Sequence, residues 1–262
     1  MSNIPIVLIC GCKKYELSLR NAIERLIDPE WKVLGIMGNE TAKEPTFDGK
    51  IVTLPVHDSY EYLPEKIVSA MEWCSTQWPE AVGIFKTDDD IVFHDKQELK
   101  DTIFRNLSTP YWGTKLYTTN PSLPIPERLT HTNLHAIDYE LCVLEQIVAN
   151  YSDKQLKLPK LEAIFCGGPG YWVSKDMISI VSRKDATYGM YTIGPEDTYI
   201  GYRMNQCGIY PFELRVQYTV TRCNYNDTVR RKVLEHQRKQ ERIRQRKQAR
   251  CETRTGLSAN QT

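Results

Sequence analysis

The pattern of apolar and polar positions along the chain predicts alternating strands and helices. Continuous apolar runs, which are typical of buried parallel strands, predict strands at residues 4–10, 31–37, 51–54, 81–85 and 111–118. Apolar residues at helical spacing predict helices at residues 16–26, 63–78, 95–107, 139–151, 174–182 and 195–206. This alternation is typical of an α/β fold in which a mostly parallel central sheet has helices on both faces.

The C-terminal part of the chain has a different pattern. Residues 210–220 alternate loosely and predict one or two strands, whereas residues 228–250 are almost entirely polar. We therefore expect one folded domain over residues 1–226 and a basic tail, helical or partly disordered, over residues 227–262. Within the domain, residues 120–130 contain three prolines and predict a loop.

The composition fits a single domain and gives no sign of a membrane anchor. Hydrophobic residues make up 41% of the 262 residues, enough for one sizeable core, and no run approaches the roughly 20 apolar residues of a membrane span. The N-terminus lacks the basic region and cleavage site of a signal peptide. None of the eight cysteines forms a C-x-x-C pair, so we expect buried free thiols and a reducing compartment.

Charge distinguishes the tail from the rest of the chain. Residues 227–262 contain 11 Lys or Arg and 4 Asp or Glu, so this tail is basic. The remainder of the chain contains 23 Lys or Arg and 29 Asp or Glu, so it is mildly acidic. A solvated helix is the simplest interpretation of the tail, and contact with acidic lipid head groups or with a partner is the alternative. Nucleic-acid binding is disfavoured because the basic stretch lacks interleaved aromatic residues.

Three consecutive carboxylates, Asp88, Asp89 and Asp90, follow the predicted strand at residues 81–85. Ligands of parallel α/β sheets bind beyond the carboxyl ends of the strands, and adjacent carboxylates there repel one another. A divalent cation bound by one or two carboxylates and by substrate phosphates offsets this repulsion. Along extended backbone, Asp88 and Asp90 point to one side and Asp89 to the other. A solvated acidic turn is the alternative.

Glu196 and Asp197 lie at the start of the predicted helix at residues 195–206, where the helix dipole favours negative charge. One interpretation is that they stabilise the helix end. The other is that one of them is a general base, which must lie within hydrogen-bond reach of an attacking hydroxyl.

Residues 166–172 are rich in glycine, which permits close approach of the backbone to a ligand. Gly167 and Gly168 are therefore candidate ligand contacts, and the adjacent Tyr171 and Trp172 offer flat faces on which sugars stack. A structural turn before the next helix is the alternative.

Four motifs occur in order: Asp58-Ser59-Tyr60 with Leu63 and Lys66, then FKTDDDIVF, then FCGGPGYWVS, and then EDTYIG followed by Gly208. This ordered set resembles the β1,3-galactosyltransferase family, which includes β1,3-N-acetylglucosaminyltransferases and is related to the Fringe proteins. The similarity covers about 60% of the chain, from Asp58 to Phe212.

The resemblance implies a GT-A fold, a UDP-sugar donor, a glycan acceptor, a Mn²⁺ or Mg²⁺ ion and inversion at the anomeric carbon. It implies that Asp90 binds the metal directly with Asp88 beside it, and that Asp197, rather than Glu196, is the catalytic base. The donor-binding residues that it implies are Asp58, Lys66, Lys86, Asp88, Asp89, Gly167 and Gly168.

On this basis we expect an inverting glycosyltransferase that moves galactose, xylose, glucose or N-acetylglucosamine from a UDP-sugar to a glycan hydroxyl. Two alternatives remain on the same fold. A metal-dependent nucleotide-sugar hydrolase would not need Asp197, and a non-catalytic glycan-binding protein would bind sugar without metal and without turnover.

The chain departs from the family pattern in two respects. Family members have a histidine metal ligand near the point where this chain has Thr219 and Val220, so the usual histidine is missing. His236 in the tail is the candidate substitute. Members also carry a membrane anchor and lumenal disulfides, neither of which this sequence predicts. We therefore expect a cytoplasmic relative, of the kind that microbes or large viruses encode.

Overall fold

A computed structural model of the chain describes residues 4–59, 62–120, 122–123, 134–136, 161–167, 169–183 and 195–221. The helix predicted at residues 139–151, the domain end predicted at residue 226 and the tail at residues 227–262 lie outside these ranges. Most of the loop predicted at residues 120–130 also lies outside them.

The described residues form a central sheet of eight strands. In order across the sheet these are β12 (Phe212–Glu213), β7 (Tyr111–Gly113), β11 (Gly170–Ser174), β5 (Gly83–Asp88), β1 (Ile6–Cys10), β2 (Lys32–Gly38), β4 (Ile51–Leu54) and β3 (Thr46–Phe47). Strands β5, β1, β2 and β4 are parallel neighbours, and β12 is parallel to β7. Strand β11 runs antiparallel between β5 and β7, and β3 is antiparallel at the edge. The predicted α/β class with a mostly parallel sheet is therefore confirmed.

Two smaller sheets accompany the central one. The first has the order β10 (Ile164–Cys166), β8 (Leu116–Thr118) and β9 (His135–Ala136), and the second pairs β13 (Tyr218–Val220) with β6 (Ile91–Phe93). Because β6 follows the acidic run and β10 precedes the glycine-rich segment, these sheets position the segments next to the predicted site.

Helices cover both faces of the central sheet. In the described part of the chain they are α1 (Glu16–Leu26), α2 (Leu63–Gln77), α3 (Lys96–Arg105), α4 (Lys175–Val181) and α5 (Glu196–Gln206). Residues of α2, α4 and α5 pack in one buried cluster with Ile6 and Leu8, whereas α1 and α3 pack in another with Val7 and Ile9. Since alternate residues of a strand point to opposite faces, β1 contributes to both clusters, and the predicted two-sided arrangement is confirmed.

Three local predictions differ from the structure. Residues 111–118 form two strands, β7 and β8, which belong to different sheets. The glycine-rich segment leads into β11 rather than directly into a helix, and Gly170 is needed there because an added Cβ would lie 2.6 Å from the Lys86 carbonyl oxygen. Strand β5 extends beyond its predicted end at residue 85 and includes Asp88.

The ends of α5 follow the prediction. Pro195 precedes the first helical residue, and Gly208 follows the helix with a φ of 70°, a left-handed conformation that favours glycine. Among the described cysteines, Cys10, Cys74 and Cys166 are buried free thiols as predicted, whereas Cys12 is half-buried and Cys207 is exposed, so the prediction of burial is wrong for these two. No helix within the described ranges is long and apolar enough to cross a bilayer.

Candidate active site

Strand β5 carries the acidic run to the carboxyl edge of the central sheet. Parallel pairing aligns Asp88 with Cys10, the last residue of β1, and the Asp89 N–H donates to the Cys10 carbonyl over 3.1 Å. Ligands of parallel sheets bind beyond this edge, so the run lies where the sequence predicts it.

The three carboxylates of the run differ in exposure. Asp89 is buried, at 7% of full exposure, and its carbonyl accepts a hydrogen bond from Ser18 Oγ over 3.3 Å. The Asp88 side chain is 36% exposed, and Asp90 is half-buried. Asp88 and Asp90 therefore reach solvent while Asp89 packs inward, in agreement with the alternation expected along the backbone.

Negative charge accumulates around Asp88. Burial raises the pKa of Asp88 to about 6, and the Glu196 and Asp90 carboxylates add to this shift, whereas Lys86 opposes it. About a third of the Asp88 side chain reaches solvent, so water screens part of the repulsion. The remaining excess of negative charge favours a cation beside Asp88.

Lys86 connects the acidic run on β5 with the start of α5. Its side chain is 4% exposed, and its Nζ lies 2.8 Å from Asp88 Oδ1 and also pairs with Glu196 Oε1. Burial lowers the pKa of Lys86, but the Asp88 and Glu196 carboxylates outweigh this effect and hold the pKa well above its usual value. Lys86 is therefore charged and joins the two acidic motifs into a single site.

Glu196 and Asp197 have different environments at the N-terminus of α5. The Glu196 side chain is 8% exposed and is neutralised by Lys86, whereas Asp197 is half-buried. Asp197 Oδ1 accepts a hydrogen bond from the Thr198 N–H over 2.7 Å. Burial raises the pKa of Asp197 to about 8, and the Glu196 charge adds to the shift. Glu196 is thus an ion-paired carboxylate, whereas Asp197 is suited to taking up a proton.

Gly167 lies between Asp197 and the ring of Tyr117. A Cβ at Gly167 would lie 2.8 Å from Asp197 Oδ2 and 2.9 Å from Cδ2 and Cε2 of Tyr117. The lack of a side chain here lets the carboxylate and the ring approach the same backbone atom. Gly168 lies outside the described residues.

Tyr171 and Trp172 are buried in the core. They are 1% and 0% exposed, because they belong to β11, an interior strand of the central sheet. The Trp172 ring packs against Trp112 with centroids 6.4 Å apart, and Tyr171 packs against Tyr111 at 6.2 Å. The prediction that Tyr171 and Trp172 offer flat faces to a sugar is therefore wrong.

Near the ends of β1 and β2, the buried Lys66 forms an ion pair with Asp58, whose side chain is 17% exposed. Lys66 Nζ lies 2.6 Å from Asp58 Oδ1 and donates to the Gly11 carbonyl over 3.1 Å. Asp58 also accepts from the N–H groups of Gly38, over 2.8 Å, and of Lys13, over 2.6 Å. Asp58 therefore links the segment that follows β1 to the last residue of β2. Contact of this ion pair with a donor stays a prediction.

The segment that contains Thr219 lies beside the acidic run. Strand β13 pairs with β6, and both the N–H and the hydroxyl of Thr221 donate to the Asp90 carbonyl, over 2.8 and 2.9 Å. Thr219 Oγ1 lies 2.6 Å from His94 Nε2. The position at which the resemblance implies a metal-binding histidine is thus close to Asp90 but holds a hydroxyl. His236 lies outside the described residues.

Asp88 and Asp90 supply oxygen ligands of the kind that Mn²⁺ and Mg²⁺ prefer. Over the ranges that the structure describes, no group of three or more His, Cys, Asp or Glu side chains could hold an ion. Two carboxylates fit a cation that takes its other ligands from phosphates and water. They do not fit a site built from protein ligands alone.

Two contacts that build the site have no signal in the sequence. The Lys86–Glu196 pair joins residues 110 positions apart, and no local pattern indicates it. Asn205 of α5 bonds to both the N–H and the carbonyl of Ile164, over 2.7 and 3.1 Å, and so attaches the helix to β10, the strand that leads into Gly167. An asparagine within a predicted helix gives no signal of such a role.

Comparison with known proteins identifies the family of this chain. Residues 36–215 match the family described as Galactosyltransferase. The human protein Beta-1,3-galactosyltransferase 4 is 21% identical over 215 residues, which cover 75% of this chain and 54% of the human protein. The chain therefore spans about half the length of this curated relative. A crystal structure of a Mycobacterium tuberculosis protein in complex with manganese aligns with 90% of this chain and 100% of its own, at 12% identity and a TM-score of 0.42.

Proposed function

This chain belongs to the galactosyltransferase family, and we propose that it transfers a sugar from a UDP-linked donor to a hydroxyl of a glycan acceptor. The observation that carries this proposal is the Lys86 ammonium, which pairs with Asp88 of the acidic run and with Glu196 beside Asp197. A candidate site for the donor diphosphate and a candidate base therefore lie at one edge of the sheet.

The proposed reaction is a single displacement. Asp197 takes the proton from the acceptor hydroxyl while that oxygen attacks the anomeric carbon, and the UDP group leaves with the electrons of the broken bond. Attack from the side opposite to the leaving group inverts the anomeric centre. Asp197 rather than Glu196 has this role because Lys86 already neutralises Glu196.

Asp88 and Asp90 would hold the divalent cation, Mn²⁺ or Mg²⁺. When bound, such an ion neutralises negative charge on the departing diphosphate. Asp58 and Lys66 would support the nucleotide end of the donor by fixing the segment after β1 and the end of β2. Gly167, next to Asp197, would lie close to the donor sugar. A screen of UDP-galactose, UDP-glucose, UDP-xylose and UDP-N-acetylglucosamine, with and without Mn²⁺, tests the proposal and identifies the donor. Absence of metal-dependent binding and turnover with all four would refute it.

A cytoplasmic location is part of the proposal, and its support is that the described cysteines are free thiols, as is usual in a reducing compartment. Fractionation of cells that produce the natural protein tests it, since enrichment with membranes would contradict it.

Replacement of Asp90 by alanine tests the metal site. We expect Asp90→Ala to weaken Mn²⁺-dependent UDP binding about a hundredfold, because one of the two carboxylate ligands is lost. Calorimetric titration with UDP in the presence and absence of Mn²⁺ measures the effect. Asp101→Ala is the matched control, since Asp101 is an exposed carboxylate on α3. Equal binding of UDP to Asp90→Ala and wild type would contradict the assignment.

The proposed base predicts how transfer depends on pH. Because the pKa of Asp197 is raised to about 8, the carboxylate is protonated below that pH, and the transfer rate should rise as the pH increases through this value. Glu196→Gln removes a neighbouring negative charge, so it should shift this rise to lower pH. Rate–pH profiles of wild type, Glu196→Gln and the control Asp101→Asn test the prediction. Identical profiles for all three would contradict the coupling of Glu196 to Asp197.

A further inference from the structure

One face of the β8–β10 ribbon lies next to the Asp197 carboxylate. Tyr117 is directly opposite Phe165 in the antiparallel pairing, and the Gly167 N–H donates to the Lys115 carbonyl over 3.0 Å. Directly opposite residues share a face, as do residues two apart on one strand. Lys115, Tyr117, Phe165 and Gly167 therefore lie on the same face of the ribbon, and Leu116 on the other face is fully buried.

Tyr117 is adjacent to the proposed base. The atoms nearest to a Cβ built on Gly167 are Asp197 Oδ2, at 2.8 Å, and Cδ2 and Cε2 of Tyr117, at 2.9 Å. The carboxylate and the edge of the ring therefore meet over the same glycine. Tyr117 is half-buried, in contrast to Tyr171 and Trp172, which the core covers completely.

The position of the Tyr117 ring is fixed relative to the helix that carries Asp197. Its ring stacks on Phe165 with centroids 5.6 Å apart and planes 21° apart. Phe165 is 2% exposed and packs on α5 at Gly201, where an added Cβ would lie 2.2 Å from the Phe165 Cβ. Buried packing thus sets the distance between the ring and the base.

We propose that Tyr117 and Lys115 bind the acceptor sugar in the transfer reaction proposed above, on which this inference rests. The face of an aromatic ring is negative and attracts the C–H groups of a pyranose. The Lys115 Nζ lies 5.2 Å from the centroid of the Tyr117 ring, and its flexible stem lets it move aside and donate to hydroxyls of the same sugar. A pyranose held there places one hydroxyl next to Asp197.

The test compares Tyr117→Leu, Tyr117→Phe and Lys115→Met in transfer from UDP-galactose with Mn²⁺. The acceptor probes are the p-nitrophenyl β-glycosides of galactose, glucose, xylose and N-acetylglucosamine. Tyr117→Leu should raise the KM for the best acceptor about tenfold, since the stacking surface is lost, whereas Tyr117→Phe keeps the ring and should stay close to wild type. Lys115→Met should raise this KM about threefold through loss of a hydrogen-bond donor. Phe212→Leu is the control. Phe212 is also aromatic and is 44% exposed, and its replacement should leave the acceptor KM unchanged.

Titration with UDP and Mn²⁺ is the second measurement for each variant. If the ring binds acceptor, UDP affinity stays at its wild-type value while the acceptor KM rises. An unchanged acceptor KM in Tyr117→Leu, or a parallel loss of UDP affinity, overturns the inference and leaves the proposed transfer intact. Wild-type protein that transfers to none of the probes and shows no Mn²⁺-dependent UDP binding refutes the proposed function itself, together with this inference.

Discussion

Asp197→Asn is expected to lower the transfer rate about a thousandfold, the range typical of a lost general base, while Mn²⁺-dependent UDP binding remains. The amide has nearly the same size as the carboxylate and can still accept the hydrogen bond from the Thr198 N–H, but it cannot take a proton from the acceptor. Rates at saturating donor, together with calorimetric UDP affinities, separate these two effects.

Asp176→Asn is the matched control for this replacement. Asp176 also lies in the first turn of a helix, α4, and it is exposed, so its change removes a similar charge from a similar position without touching the site. A wild-type rate in Asp197→Asn would show that another group takes the proton. A loss of UDP affinity as large as the loss of rate would show that Asp197 acts on donor binding.

Lys86→Met is expected to lower the free energy of unfolding by about 3–5 kcal/mol, the cost of breaking a buried ion pair from one side. Methionine fills a similar volume, but it leaves the Glu196 carboxylate, which is 8% exposed, without its counter-ion. Asp88 loses the same partner, although its greater exposure lets water compensate in part. Denaturant unfolding of the variant and wild type measures the difference.

A double replacement separates the effect of charge from the effect of packing. Adding Glu196→Gln to Lys86→Met should restore part of the lost stability, because a neutral amide costs less to bury than a charge. Lys50→Met is the control: Lys50 pairs with Glu24 at the surface with its side chain 48% exposed, and its loss should cost about 0–1 kcal/mol. If Lys86→Met costs no more than Lys50→Met, Lys86 is not the counter-ion that the geometry assigns.

The place of the acidic run could be predicted from the sequence because it depends on local patterns. An apolar strand that leads into the acidic run indicates the edge of the sheet at which Asp88, Asp89 and Asp90 lie. The alternation expected along extended backbone agrees with the burial of Asp89 between the more accessible Asp88 and Asp90. The bounds of α1 to α5 were predictable for the same reason, since an amphipathic helix and its ends are encoded within a few consecutive residues.

The contacts between distant segments could not be predicted. The glycine-rich motif indicates close approach but not what approaches, and the structure brings Asp197 and Tyr117 to Gly167 from two different segments. Burial of Tyr171 and Trp172 depends on β11 lying inside the sheet. The sequence of a five-residue strand does not indicate which strands lie beside it. The distinction between Glu196 and Asp197 likewise depends on Lys86, which is remote in sequence from both.

The position of β11 between β5 and β7 has a consequence for the order in which the chain can fold. Both neighbours precede β11 in sequence, yet they contact β11 rather than each other. During synthesis, β7 therefore cannot join the sheet that contains β5 until residues 170–174, which form β11, have left the ribosome. Pairing of β7 with β11 joins residues that are far apart in sequence, and such pairing is slow compared with local helix formation. The half of the sheet that includes β7 and β12 is thus expected to assemble last, onto a nucleus formed by β1, β2, β4 and β5.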